Sequence, residues 1–241
     1  MNGHRLVEEP DGSFIVKPVQ NEEPTTERPD EPDDLKPGNT MIIYDCEIKK
    51  AILGKNETAL EGIDYCDGWR DFTGMGISVI VAYDYAEDRY RIFCDDNIEQ
   101  FKALVAGTDI VVGFNALAFD NPLCKAHGIE IPDGKTYDLL AEIWQGDGLS
   151  RVFSHPSHTG YGLDACSKAN FGTCKSGHGA LAPVDWQQGK IGTVVDYCLN
   201  DVALTKRLLD RVIATGRINH PKKTGLAISV KKPWNNAIFN E

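Results

Sequence analysis

The chain has 241 residues, of which 41% are hydrophobic, and this length fits one core-forming domain with appendages better than two full domains. No apolar run approaches the ~20 residues of a membrane span, and the N-terminus lacks the apolar core and cleavage site of a signal peptide, so we expect a cytoplasmic protein without a membrane partner. The formal net charge of −11 at pH 7 argues against tight, non-specific binding to duplex nucleic acid through its phosphates.

Residues 1–38 are predicted to be an acidic, proline-rich arm outside the main domain. They contain ten acidic residues, four basic residues and six prolines. Such a composition buries too little apolar surface to offset the entropy of ordering, so we expect disorder, with a short strand only at residues 14–16. Two interpretations stay open: a solvated tail, and an arm that docks on a replication or repair protein.

Residues 39–216 carry the strand and helix patterns of the main domain. Short apolar runs and period-two alternation predict strands, and apolar residues at three- and four-residue steps predict helices. The predicted elements, in chain order, are a buried strand at 40–44, a loop at 49–73, a hairpin at 76–84 and 89–94, a helix at 97–106, a strand at 109–114, a helix at 119–127, a strand running into a helix at 135–145, and helices at 162–171 and 192–213. This order indicates an α/β domain with a central mixed sheet flanked by α-helices.

Residues 217–241 are predicted to form a basic C-terminal tail, with strand character at residues 226–230. A solvated terminus is one interpretation. The other is a surface that tracks a single strand, because such surfaces combine cations with aromatic side chains. The residues concerned are Arg217, Lys222, Lys223, Lys231, Lys232 and Trp234.

The seven cysteines include no CxxC pair. Those that lie in apolar or periodic stretches are expected to be buried free thiols, and they are Cys46, Cys94, Cys124 and Cys198. A zinc site built from Cys166, Cys174 and His178 is the less favoured alternative, because their spacing matches no standard ligand pattern.

Two acids, Asp45 and Glu47, directly follow the first predicted strand. Residues two apart on a strand point to the same side, so the two carboxylates would converge. Converging carboxylates repel each other unless a cation lies between them, and a divalent metal ion is the economical solution. Acids of an ordinary turn remain the alternative explanation.

A second group of polar residues lies where the strand at 109–114 ends. Asn115 follows that strand, and three residues later Phe119 and Asp120 begin a helix. An aspartate at this point is often only a helix cap, and the phenylalanine can be part of the core.

A third group lies on the last predicted helix. The four-residue spacing of Tyr197 and Asp201 puts both on one face, one turn apart. Apolar residues beside them indicate that this face is partly buried, so a structural hydrogen bond is the alternative to a functional role.

The three groups occur in order, about eighty residues apart. The forms D-x-E, N-x₃-F-D and Y-x₃-D resemble the three exonuclease motifs of the DEDD (DnaQ-like) superfamily, in its tyrosine-bearing (DEDDy) branch. The second form is similar to that of the proofreading exonuclease domains of B-family polymerases. The resemblance covers residues 40–216 and implies a ribonuclease H-like fold. The long segment 49–73, and a cysteine between the two acids, depart from the family pattern.

The resemblance implies a stand-alone 3′→5′ exonuclease that hydrolyses nucleic acid, with single-stranded DNA favoured. It implies two divalent cations, Mg²⁺ or Mn²⁺, whose ligands would be Asp45, Glu47, Asp120 and Asp201. Tyr197 would orient the attacking water rather than take its proton, because a phenol is a poor base at neutral pH. Asn115 would contact the substrate backbone, and Phe119 either packs near the terminal bases or belongs to the core.

Three further residues have less specific predictions. Asp138 recurs at this place in the family, and capping of the following helix explains it equally well. His155 and His158 lie in a loop rich in proline and serine and are expected to be solvated.

Two other functions stay open at this point. One is a 3′→5′ exoribonuclease that uses the same residues. The other is a catalytically silent module that binds nucleic acid, against which the complete carboxylate set argues.

Overall fold

The computed structural model describes residues 4–8, 14–18, 40–173 and 179–235. The chain divides into two compact units, Met1–Asp34 and Leu35–Glu241. In the first unit, β1 (His4–Glu8) and β2 (Phe14–Pro18) pair antiparallel, with Glu8 opposite Phe14. The strand expected at residues 14–16 is therefore confirmed. The rest of the predicted arm, and its expected disorder, lie outside the described residues.

The second unit contains a central five-stranded sheet with helices on both sides. Its strands are β3 (Met41–Ile48), β6 (Ile77–Asp84), β7 (Arg89–Phe93), β8 (Ile110–Gly113) and β9 (Thr136–Asp138). Two shorter strands, β4 (Ala51–Ile52) and β5 (Tyr65–Cys66), pair in the segment after β3. Another two, β10 (Arg217–Asn219) and β11 (Ala227–Ser229), form a C-terminal hairpin.

The predicted α-helices occur in the expected order, but two further short helices, Phe72–Met75 and Ala182–Gln187, were not predicted. The helices are α1 (Phe72–Met75), α2 (Ile98–Ala106), α3 (Asp120–Ala126), α4 (Leu139–Gly146), α5 (Leu163–Phe171), α6 (Ala182–Gln187) and α7 (Ile191–Thr215). In the described part of the chain, no helix has both the length and the apolar character needed to cross a bilayer.

The order of the central sheet is β7-β6-β3-β8-β9. Strand β6 runs antiparallel to both of its neighbours, β3 and β7. Strands β8 and β9 run parallel to β3. Three antiparallel strands followed by two parallel crossovers, with helices on both faces, make up the ribonuclease H-like fold. The predicted α/β class and fold are confirmed.

The core consists of two layers, one on each face of the sheet, because successive strand residues point to opposite sides. Ile43 and Val81 belong to the layer that contains α4, α5 and α7. Tyr44 and Ile80 belong to the layer that contains α2 and α3. Every residue of β6 is buried, as expected for a strand covered on both faces.

The first strand of the sheet is longer than predicted. Strand β3 continues to Ile48, so Asp45 and Glu47 lie within it and not after it. Pairing with β6 continues through both acids and shifts register only between Glu47 and Ile48. The apolar run ends at Tyr44, but backbone pairing with β6 keeps the following residues extended.

The C-terminal segment is not a solvated tail over its described length. Ile218, Ile228 and Val230 of the β10–β11 hairpin are buried in the same layer as α4 and α7. The predicted strand at 226–230 corresponds to β11, Ala227–Ser229. Alternating buried and exposed residues on these two short strands explain why basic composition alone gave the wrong expectation.

Three of the four cysteines predicted to be buried are buried, namely Cys46, Cys124 and Cys198. Cys94 is only half-buried, because it lies at the end of the edge strand β7, so that prediction was wrong. Cys166 is also buried, and burial raises the pKa of its thiol to about 12. The considered zinc ligands Cys174 and His178 lie outside the described residues.

Candidate functional site

The first two acids lie on the face of β3 that α7 covers. Asp45 and Glu47 alternate with Cys46, which belongs to the opposite core layer. Cys198 of α7 approaches the same point, and one ligand atom from each of Asp45, Glu47 and Cys198 lies within 4.8 Å of the others. The convergence predicted from the two-residue spacing is therefore present.

Asp120 reaches β3 along the edge that faces β8, at a point where the two strands no longer pair. Strand β8 pairs with β3 only as far as Ile43, so beyond that residue the β3 backbone has no strand partner on this side among the described residues. The Cys46 N–H donates to Asp120 Oδ1 at 3.2 Å. The third carboxylate is thus held beside the backbone that separates Asp45 from Glu47.

A buried polar relay fixes the start of α3. The Tyr44 hydroxyl donates to Asn121 Oδ1 at 2.5 Å, and Asn121 Nδ2 donates to Thr136 Oγ1 at 2.9 Å. These bonds join β3, α3 and β9 directly after Asp120. Because buried polar groups are costly to leave unpaired, the relay favours a single position for the helix start.

Asp138 supports the loop that carries Asn115. Its carboxylate caps α4 by accepting from the N–H groups of Leu140 and Ala141, and it also accepts from the N–H groups of Asn115 and Leu117, both at 3.0 Å. Burial raises the pKa of Asp138, although these four donors act in the opposite direction. Capping is confirmed, and the same side chain positions the loop between β8 and α3.

The backbone conformation at position 115 favours asparagine, independently of the predicted contact of this residue with substrate. Its φ of 72° lies in the left-handed region, where asparagine is tolerated better than most residues. Its carbonyl accepts from the N–H groups of Ala118 and Phe119. This turn directs the chain from the end of β8 to the first residue of α3.

Tyr197 and Asp201 lie one turn apart on α7 and line the same cleft, as the spacing predicts. Asp201 is buried, whereas Tyr197 is half-buried. The Tyr197 hydroxyl reaches Gly179 so closely that a Cβ atom at this glycine would lie 2.9 Å from it. Gly179 therefore leaves the room that this hydroxyl occupies.

The seven residues of the three sequence motifs all line one cleft of about 1020 Å³. They are Asp45, Glu47, Asn115, Phe119, Asp120, Tyr197 and Asp201. A second cleft of about 580 Å³ opens beside it and shares Asp45, Asn115 and Asp201. Two of the carboxylates, Asp45 and Asp201, thus lie where the two clefts meet.

The chemistry of this group fits divalent cations. Burial, followed by the negative charges of Asp45 and Glu47, raises the pKa of the Cys198 thiol well above its usual range. The neutral thiol lies 3.3 Å from the Asp45 carbonyl oxygen and donates to it. Hard carboxylate oxygens suit Mg²⁺ or Mn²⁺ and a soft thiol does not, so the carboxylates are the fitting ligands.

Aromatic side chains form one wall of the larger cleft. The Phe119 ring lies 6.2 Å from Trp69 and 6.0 Å from Phe72, edge to face in both pairs. Phe119 packs on the core, as one of its two predicted roles requires, and it also lines the cleft. Its contact with terminal bases stays a prediction. The motifs contain no signal for Trp69, for the neighbouring Arg70 or for Gly179.

The two loop histidines differ. His155 is exposed as predicted, but His158 is buried, and its ring nitrogens lie 3.0 Å from the Ser154 carbonyl and 2.9 Å from the Ser150 carbonyl. It packs edge-on against Trp144 and lines the second cleft. The prediction of a solvated side chain was wrong for His158.

No protein-family model matches the chain, and no curated protein matches it. Among solved structures, one match is the family B DNA polymerase from the hyperthermophilic archaeon Pyrobaculum calidifontis, with 14% identity and a TM-score of 0.49. The match covers 88% of this chain but only 28% of the polymerase. At this level the likeness assigns no activity to the chain.

Proposed function

We propose that this protein is a metal-dependent 3′→5′ exonuclease that removes nucleotides from the end of a single strand. The observation that carries the proposal is the convergence of four carboxylates and a tyrosine hydroxyl on one cleft. Each of the five comes from one of the three sequence motifs. Acids gathered by chance from strand β3 and helices α3 and α7 would not be expected to line the same cleft.

Asp45, Glu47, Asp120 and Asp201 would hold two divalent cations, Mg²⁺ or Mn²⁺. When bound, such ions stabilise charge on the phosphoryl group and provide an activated water. The residues themselves supply the rest. Tyr197 orients the water through its hydroxyl, Asn115 binds the strand backbone, and Phe119 contacts a terminal base.

The size of the cleft and the net charge of the chain favour a strand end over a duplex. Its volume of about 1020 Å³ is of the size that holds one small ligand, and it is bounded by aromatic side chains. The net charge of −11 disfavours extended phosphate contacts along a duplex. A flexible 3′ end, by contrast, needs only local contacts.

The test is a time course on a 5′-labelled single-stranded DNA and an RNA of the same sequence, each with Mg²⁺, Mn²⁺ or EDTA. We expect a ladder that shortens from the 3′ end and requires metal. Asp45→Asn should slow it by at least ~10²-fold, since the lost charge contributes chiefly in the transition state. Asp133→Asn, an exposed acid outside the cleft, is the matched control.

The RNA arm of this assay separates an exoribonuclease from a deoxyribonuclease. Absence of degradation of both strands with either metal would contradict the proposed function and favour a silent binding module. Equal rates for Asp45→Asn and the control would contradict the assignment of the site.

A further inference from the structure

The segment between β3 and α1 is held in place at its start and again in its second half. The Gln187 side chain accepts from the Asp64 N–H at 2.7 Å and donates to the carbonyls of Lys49 and Asp64 at 2.9 and 3.0 Å. Just after the two bonded positions, β4 pairs with β5 in parallel. A single amide on α6 therefore fixes where this long connection returns to the cleft.

Trp69 lies between two anchored positions, Asp64, which Gln187 binds, and Asp71. Asp71 caps α1 by accepting from the Gly74 N–H, and it also accepts from the Asp67 N–H, so both sides of Trp69 are ordered. The Trp69 side chain is nonetheless 71% exposed. It lines the cleft and touches Phe119 edge-on, which leaves much of the indole surface open to solvent.

Arg70 lines the same cleft and is its only basic residue among the described ones. None of the ion pairs between described residues uses Arg70, although the cleft contains four carboxylates. Its guanidinium matches phosphate geometry, since its donors form a planar fork. The segment thus presents an open aromatic ring and a guanidinium side by side.

Adjacent aromatic and cationic groups are the chemistry by which proteins hold single-stranded nucleic acid without regard to sequence. We infer that Trp69 stacks on a base and Arg70 binds a backbone phosphate of the strand whose 3′ end reaches the carboxylates. This inference rests on the proposed function for the identity of the substrate. Gln187 acts as a positioning residue, because it touches only the backbone of the segment that carries Trp69 and Arg70.

The test measures binding rather than turnover, on the full chain with a short labelled oligothymidylate. Fluorescence anisotropy is recorded with Ca²⁺ as the only divalent ion, and a gel verifies that the strand stays intact. Trp69→Ala should weaken binding roughly 5- to 140-fold, the range expected for one base stacked on an aromatic ring. Leu60→Ala, which removes an exposed apolar side chain of the same segment outside the cleft, should leave the affinity unchanged.

Two further readouts separate stacking and phosphate binding from a loss of folding. Strand binding should quench tryptophan fluorescence in the wild type but much less in Trp69→Phe, which keeps a stacking ring and near-normal affinity. Arg70→Gln should reduce the slope of log affinity against log salt by about 0.7, the value for one phosphate contact on a single strand. Gln187→Ala should weaken binding, and its effect should shrink when Trp69 is already alanine.

The outcomes distinguish this inference from the proposed function. Wild-type affinity and salt slope in Trp69→Ala and Arg70→Gln, with metal-dependent degradation still present, would overturn the inference alone. Trp69-dependent binding without degradation in Mg²⁺ or Mn²⁺ would support the inference and overturn the proposed function. Lack of any strand binding by the wild type would overturn the inference.

Discussion

Asp138→Asn is the most informative single change, because one carboxylate supports both a helix cap and the loop that carries Asn115. In the wild type, Oδ1 accepts from the N–H groups of Asn115, Leu140 and Ala141, and Oδ2 accepts from Leu117. The side chain is buried, so water does not replace a lost acceptor.

The amide can keep only one of the two oxygens. With the retained oxygen in the Oδ1 position, the new NH₂ group faces the Leu117 N–H, so one bond is lost and two donors oppose each other. A buried donor left without an acceptor costs about 1–3 kcal/mol of unfolding free energy. Asp138→Ala removes all four bonds and should cost more, about 3–5 kcal/mol.

Urea unfolding, monitored by circular dichroism, measures the loss of stability. The exonuclease time course measures the loss of activity under conditions where each variant is folded. We expect the activity of Asp138→Asn to fall further than its folded fraction, since the Asn115–Leu117 loop loses one of its two bonds to Asp138. Stability within about 0.5 kcal/mol of the wild type, the range of neutral surface changes, would refute this account of Asp138. So would full activity per folded molecule.

Three other changes test separate parts of the structure. Gly179→Ala should leave stability nearly unchanged but slow turnover, because its Cβ would lie 2.9 Å from the Tyr197 hydroxyl and displace it; steady-state kinetics with a thermal melt measures both. Asn115→Gly should keep stability and lose affinity for the strand, whereas Asn115→Ala should also lose about 1–2 kcal/mol, since φ is 72°. Burial raises the pKa of Asp147, but the hydrogen bond from Tyr161 and nearby positive charge lower it more, so the pKa lies below its ordinary value. Its contribution to stability is therefore present above the ordinary pKa of the carboxyl and is lost as pH falls through the lowered value, so Asp147→Asn should flatten the acid side of a stability–pH profile measured by urea unfolding.

Each of these expectations has a contradicting result. Unchanged turnover in the Gly179 variant would mean that the position of the Tyr197 hydroxyl is not critical. Equal stability of the glycine and alanine variants at Asn115 would remove the backbone argument. An acid limb as steep in Asp147→Asn as in the wild type would show that this carboxyl contributes nothing to it.

The parts of the site that follow from local backbone geometry could be predicted from the sequence. Two residues apart on a strand, Asp45 and Glu47 must share a side, and four residues apart on a helix, Tyr197 and Asp201 must share a face. The order of elements also sufficed for the fold class. Pairing with β6, which extends β3 past its apolar run, is a contact between distant segments and leaves no local pattern.

The residues that sequence patterns missed depend on such distant contacts. His158 lies among serines and prolines typical of exposed loops, but Trp144 and two backbone carbonyls bury it. Trp69 meets Phe119, which lies fifty positions later in the chain, and Trp69 belongs to a segment without regular periodicity. Gly179 matters only because α7 brings the Tyr197 hydroxyl next to it.

The central claim is that the carboxylates of the cleft together hold divalent cations, and calorimetric titration of Mn²⁺ into the protein tests it without substrate. We predict that the wild type and Asp133→Asn bind Mn²⁺ with equal affinity. Asp45→Asn should bind Mn²⁺ at least ~10-fold more weakly, because it lacks one of the carboxylates that hold the ions. Equal Mn²⁺ affinity of Asp45→Asn and the wild type would contradict the account.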